Sequence, residues 1–285
     1  MSAEIPGGVL AACDLDGTLI YSSSAIHFHS AIQHSAALVC VEYYRDRSWS
    51  YLTARAARHA EALAHTAVLV PATTRTPHQY ARVQLPGATP RYAVCSNGAQ
   101  LLCDGVPDPE WHRETRRRVT ASAAPLPEVC AHLHHALRQN WPATVRVAEE
   151  MFLYLVTPRN WALPAGWIND LTHWARTHGW ELSATGRTVH LVPAALTKSA
   201  AITELTSRTG ARLVLAAGDS LLDIDMLRQA DAAIHPAHGE LAAIGWSHPT
   251  VARTQTTGVC AGEEILRWLY AAADRYPTQR NQRDD

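Results

Sequence analysis

The chain has 285 residues, a formal charge of −1, 47% hydrophobic and 18% charged residues. It can bury a substantial core in one large or two modest domains, and its near-neutral balance supplies no basic field, which argues against nucleic acid as the main partner. Six cysteines form no Cys-x-x-Cys pair, no run reaches transmembrane length, and the N-terminus lacks a basic stretch followed by an apolar one; reduced thiols, no membrane association and a cytoplasmic location are expected.

The first apolar run, Val9 to Cys13, predicts a short buried strand, with Asp14, Asp16 and Gly17 just beyond it. Two carboxylates this close repel unless a cation or a proton separates their roles; a solvated acidic turn is the plainer alternative. "ALVCVEYYRDRSWSYLT" predicts a hairpin with Tyr44, Arg45, Asp46 and Arg47 at its tip, and the alanine-rich "ARAARHAEALAHT" a helix. "AVLVPATTR" is a second apolar run, tipped by Thr73, Thr74 and Arg75. "RYAVCSNGAQLLCDG" predicts two strands about a turn at Asn97 and Gly98, where Asn97 is either a binding residue or a filler of a left-handed turn position.

From about Pro107 the rhythm changes. A helix at 126–139 precedes the strand candidates "TVRVAEE" and "MFLYLVT"; a helix at 166–177 precedes "WELSAT" and "TVHLVP". Helix-strand-strand, repeated once, suits a small antiparallel sheet covered by helices. Six of the nine tryptophans lie between Trp111 and Trp180, and Trp167, Leu171 and Trp174 recur at helical spacing, as core residues do. The expected organisation is an inserted α+β domain at 105–192, interrupting an α/β core made of 1–104 and 193–285.

The alternating pattern then resumes. "LTKSAAITELTSRTG" predicts a helix with Lys198 near its start, and "ARLVLAAGDSLLDIDMLRQA" an apolar strand tipped by Asp219 with a helix behind it. "AAIHP" and "TVA" are short strand candidates, "AGEEILRWLYAAADRY" is an amphipathic closing helix, and the polar "PTQRNQRDD" is expected to fray.

Asp14 with Asp16, Thr73, and Asp219 thus end three apolar runs, and in a parallel sheet such tips converge on one edge. A few hard oxygen ligands suit Mg²⁺, which shares its shell with phosphate. A carboxylate can attack phosphorus to give an aspartyl phosphate. The metal and a lysine offset the negative charge of that encounter, and the Thr73 hydroxyl can donate to a phosphoryl oxygen.

These residues carry a resemblance. "DLDGT" at 14–18, "TTR" at 73–75, Lys198 and "GDSLLD" at 218–223 match, in order, the four motifs of the haloacid dehalogenase superfamily of phosphohydrolases. The resemblance implies a Rossmann-like parallel-sheet core, with Asp14 as nucleophile and metal ligand and Asp16 as general acid and base. It further implies metal ligation by the Asp16 backbone carbonyl and Asp219, with Asp223 ligating directly or holding a metal-bound water, and phosphoryl contacts from Thr73 and Lys198. The insertion between the second and third motifs resembles the large α/β cap of sucrose-phosphatase-like and sugar-phosphatase members, as does "SNGA" at 96–99. "DLDGTLIYS", "AAGDSLLD" and "HPAHGEL" are similar to hydrolases encoded beside tellurite-resistance and stress-response genes. Thr74, Ser199 and Leu222 depart from the glycine, glycine and asparagine common at those places.

The reading is a Mg²⁺-dependent phosphatase of a small phosphorylated metabolite, a sugar phosphate or a nucleotide. A phosphomutase or phosphotransferase would use the same residues, and a non-catalytic phospho-ligand binding protein could keep the scaffold. Arg75 and Asn97 are candidate substrate contacts at the core. In the insertion, Arg146 on a strand and Arg187, placed where the chain returns to the core, are candidates, while the basic "HRETRRRV" reads as a solvated helix face. Lys198 as a solvated helix residue and Asp223 as a helix-start acid are the plainer alternatives at those positions. His27 with His29, and His134 with His135, lack a third ligand at zinc spacing.

Overall fold

The computed structural model describes residues 6–26, 36–87, 89–137, 141–158 and 161–281. His27 and His29 lie outside them. The chain divides into two compact units, Met1–Pro107 with Lys198–Asp285, and Asp108–Thr197.

In the first unit, strand Val9–Cys13 is fully buried because every residue is apolar and both faces of its sheet are covered. It lies between Leu213–Ala217 and Val68–Pro71, and Ala232–His235 and Val251–Arg253 extend the sheet beyond Leu213–Ala217; all four pairings are parallel. Side chains alternate across a strand. Val9, Ala11 and Cys13 accordingly share a core cluster with Ala56, Ala60 and Leu63 of helix Ala54–Leu63 and with Ile265, Leu266 and Leu269 of helix Val259–Asn281. Thr53 starts the first of these helices by accepting from the Ala56 amide. The closing helix runs past Pro277 to Asn281, where composition predicts fraying.

Leu38–Tyr44 and Arg47–Thr53 form the expected hairpin, with Arg45 and Asp46 at positive φ in its two-residue turn. Tyr92–Cys95 pairs antiparallel with Gln100–Cys103 around the turn at Asn97.

The second unit has helices Pro109–Ser122, Leu126–Ala136 and Ala165–Thr177. Its antiparallel sheet runs in the order Trp180–Thr185, Thr188–Pro193, Phe152–Val156, Thr144–Ala148. Asp108 caps the first helix through the amides of Glu110 and Trp111, with Pro109 in the first turn. Leu182, Leu191 and Leu153 stand in register on one buried sheet face; Ser183, His190, Tyr154 and Arg146 form a register row on the other. Leu171 and Ala175 are buried on the last helix, while Trp174 is half-buried and stacks between His132 and His178 at 3.6 and 4.1 Å.

Candidate active site

The sheet delivers the polar tips together. Cys13 is in register with both Ala217 and Pro71, and the Asp14 amide still donates to the Ala217 carbonyl at 2.9 Å. Asp14, Thr73 and Asp219 therefore leave the sheet at one edge. Beyond Asp14, the amides of Thr18, Leu19 and Ile20 all donate to the Leu15 carbonyl and wind the chain into a tight loop. Gly17 has φ +84°, and a Cβ there would lie 2.8 Å from Asp219 Oδ2. Thr73 is buried; its amide donates to the Val94 carbonyl, its carbonyl accepts from the Asn97 amide, and its hydroxyl accepts from the Arg75 amide. Asn97 is buried at φ 55° in the turn.

Lys198 is 1% exposed and its Nζ donates to Asp14 Oδ1 and Asp223 Oδ1, each at 2.6 Å. Asp223 Oδ2 accepts from the amides of Asp219 and Ser220 and from the Ser220 hydroxyl. It thereby fixes the loop that carries Asp219. The loop closes so tightly that a Cβ on Gly218 would sit 2.4 Å from that of Asp223.

Asp14, Asp219 and Asp223 bring one oxygen each within 4.8 Å of one another, all buried. Among the described residues this is the one grouping with metal-ligand geometry. Burial, partly countered by Lys198 and reinforced by Asp223, pushes Asp14 up to about 7. Burial, with Asp14 and Asp223 nearby, holds Asp219 well above the carboxylate range. Burial works against the Lys198 charge, but Asp14 and Asp223 outweigh it and raise its affinity for the proton. One ammonium thus faces three desolvated carboxylates. An all-oxygen donor set carrying surplus negative charge fits a hard divalent cation such as Mg²⁺.

Asp16 stands apart from this trio, half exposed. Arg75 grips it in a fork, Nε to Oδ2 at 2.6 Å and Nη2 to Oδ1 at 2.7 Å. Nη2 donates again, at 3.0 Å, to Oε2 of Glu42, a fully buried carboxylate on the hairpin. Glu42 also accepts from Ser50 Oγ at 2.6 Å and Arg82 Nε at 3.1 Å. The guanidinium of Arg75 is therefore engaged by two carboxylates of the protein.

No protein-family model matches the chain, and no curated protein matches it. Solved structures do. The sucrose-phosphatase of Synechocystis, solved with sucrose and phosphate, superposes with a TM-score of 0.62 at 15% identity, covering 92% of this chain and 98% of that one. A sugar phosphatase of subclass IIB of the haloacid dehalogenase superfamily gives 0.56 at 14%, covering 94% and 99%. The C-terminal domain of C. albicans trehalose-6-phosphate phosphatase gives 0.57 at 11%, covering 93% of each. The chain has the haloacid dehalogenase fold.

Within that fold the parallel sheet is the core and the second unit the inserted cap. The cap arginines fall in two settings. Arg146 is exposed on the edge strand, opposite Tyr154. Arg187 lies in the turn between Trp180–Thr185 and Thr188–Pro193, not where the chain returns to the core: a whole strand follows it. Its carbonyl accepts from the Thr157 amide and its Nη1 donates to the Thr157 carbonyl, so it also ties the turn to the neighbouring strand. In the basic helix, Arg116 and Arg117 pair with Glu150 and Glu114 at the surface.

Three groups around the site were not foreseen. Glu42 is the first, and an acid inside the apolar run "LVCVEYY" was its signal. His238 accepts from the Gly258 amide through Nδ1, which makes Nε2 the donor to the Gly17 carbonyl at 2.9 Å. Glu240 accepts from the Leu221 amide and braces the Asp219 loop. The last two lie in "HPAHGEL", a stretch the sequence marks by resemblance without giving either residue a role.

Proposed function

We propose that the protein is a Mg²⁺-dependent phosphatase that hydrolyses a small phosphomonoester through an aspartyl phosphate on Asp14. The observation that carries this reading is the charge arrangement: a buried Asp14 held by Lys198 beside Asp219 and Asp223, with a solvent-facing Asp16 two residues on. Asp14 attacks phosphorus, and Asp16 gives its proton to the leaving oxygen. Asp16 then takes a proton from the attacking water, whose oxygen binds phosphorus as the bond to Asp14 breaks. Lys198 orients Asp14 and offsets phosphoryl charge, and the Thr73 hydroxyl is placed to hold a phosphoryl oxygen. Asp14, Asp219 and the Asp16 carbonyl would hold the metal, with Asp223 supporting it, and the cation would supply charge neutralisation at the phosphoryl group.

The structural neighbours named as sugar phosphatases favour a sugar phosphate as substrate. Arg146, exposed, and Tyr154 and His190, half-buried beside it in the same register row, carry donors and acceptors suited to hydroxyls and support the same choice. Six cysteines without a disulfide among them suit a reducing compartment such as the cytoplasm. The test is phosphate release from a panel of sugar phosphates and nucleotides with Mg²⁺, run beside Asp14→Asn. Release that the variant abolishes is expected. No release from any member, or release that survives in Asp14→Asn, overturns the reading.

A further inference from the structure

Glu42 has no place in the chemistry above, yet among the described residues it is the most completely buried carboxylate outside the Asp14 cluster, at 0% exposure. Burying a carboxylate is costly unless it is paired and hydrogen-bonded. Glu42 is met by two guanidiniums and a hydroxyl. Its strand departs from regular register between Cys40 and Tyr43, makes an isolated bridge to Val83, and accepts the Gln84 amide on the Val41 carbonyl. The hairpin is thus bent so that Glu42 lies beside the segment that starts at Arg75.

The contact has a specific consequence. Arg75 Nη2 carries two hydrogens, one for Asp16 and one for Glu42, so three bonds fix the plane of the guanidinium. The fork occupies one edge of the Asp16 carboxylate and leaves the remaining lone pairs facing outward on a half-exposed side chain. Without Glu42, Arg75 and Asp16 would be anchored only to each other.

We infer that Glu42 is a positioning residue: through Arg75 it aims the Asp16 carboxylate for proton transfer. This rests on the phosphatase reading above. In the hydrolytic step the water proton passes to an Asp16 oxygen, the water oxygen bonds to phosphorus, and the phosphorus–Asp14 bond breaks with its electron pair returning to Asp14. Misaimed, Asp16 slows that step for every substrate. Attack by Asp14 on an ester with a good leaving group needs no proton and is spared.

The experiment uses the Mg²⁺-loaded full chain and p-nitrophenyl phosphate. In Glu42→Gln the side chain keeps one acceptor but must turn its amide toward a cationic donor, so one arginine loses its partner. The expected result is a nitrophenolate burst at about the wild-type rate, followed by a steady state about tenfold slower, a fraction of what a proton-transfer group supplies. KM falls with kcat, kcat/KM is preserved, and acid quenching traps more phosphoenzyme than in wild type. A general loss of structure would instead lower kcat/KM and the active fraction. Ser50→Ala removes one neutral donor to Glu42 and should show the same pattern at about threefold; it decides the matter if Glu42→Gln does not fold. Unchanged steady-state rates, or burst and steady state lowered alike, overturn the role of Glu42. If the wild-type chain releases neither nitrophenolate nor phosphate, the phosphatase reading itself falls and the inference with it.

Discussion

Buried Asp14 and Asp219 give the protein an unusual dependence of stability on pH when no divalent cation is present. Unfolded, Asp14 ionises near 3.8; folded, near about 7. Between those values the native state binds a proton that the unfolded chain has lost, so stability falls as pH rises through the window. About three pH units correspond to on the order of 4 kcal/mol for Asp14 alone. Asp219, raised for the same reason, adds with the same sign. Lys198, raised from an already basic value, stays charged in both states here and adds no slope. For a chain of this size the loss is a fall in Tm of about 10 °C between pH 4.5 and 7.5. A cation that binds the ionised cluster opposes it, adding about 2.7 kcal/mol at a hundredfold excess over its Kd. The assay is calorimetric unfolding across pH in chelator and in Mg²⁺, with Asp14→Asn as the control that flattens the slope. A Tm that is level or rises with pH in chelator, together with a Mg²⁺ increment that does not grow with pH, would refute the reasoning.

Lys198→Met leaves the carboxylates without their ammonium and should cost about 3–5 kcal/mol above neutral pH, measured by denaturant unfolding, with most of the loss recovered by acidification. Gly218→Ala forces a methyl against Asp223 and should cost about 1–3 kcal/mol while weakening the Mg²⁺-dependent rise in Tm. Arg146→Ala should lower kcat/KM for the preferred sugar phosphate by about tenfold and spare p-nitrophenyl phosphate; equal losses on both would make Arg146 structural.

Much of this was legible in the chain because strand ends carry the chemistry. Val9–Cys13, Val68–Pro71 and Leu213–Ala217 are apolar throughout, as strands buried on both faces must be, and the polar residues that end them are visible as interruptions. The repeated helix-strand-strand order likewise foretold the antiparallel sheet of the cap. What stayed hidden depends on contacts distant in sequence. Arg75 read as a substrate contact; its partners within the chain are 59 and 33 residues away, and the second is reached only because the hairpin is bent near Glu42. Arg187 was misplaced because a two-residue hairpin turn and a chain crossing between domains both read as short polar breaks. His238 acts through a backbone carbonyl, and no side-chain pattern encodes such a partner.

The central claim is that phosphorus is bonded transiently to Asp14. Acid quenching during turnover of a ³²P-labelled phosphomonoester with Mg²⁺, followed by peptide mapping, tests it directly. The account predicts label on the peptide carrying Asp14, labile to hydroxylamine and absent from Asp14→Asn. Turnover that proceeds with Asp14 unlabelled, and at an undiminished rate in Asp14→Asn, would contradict it.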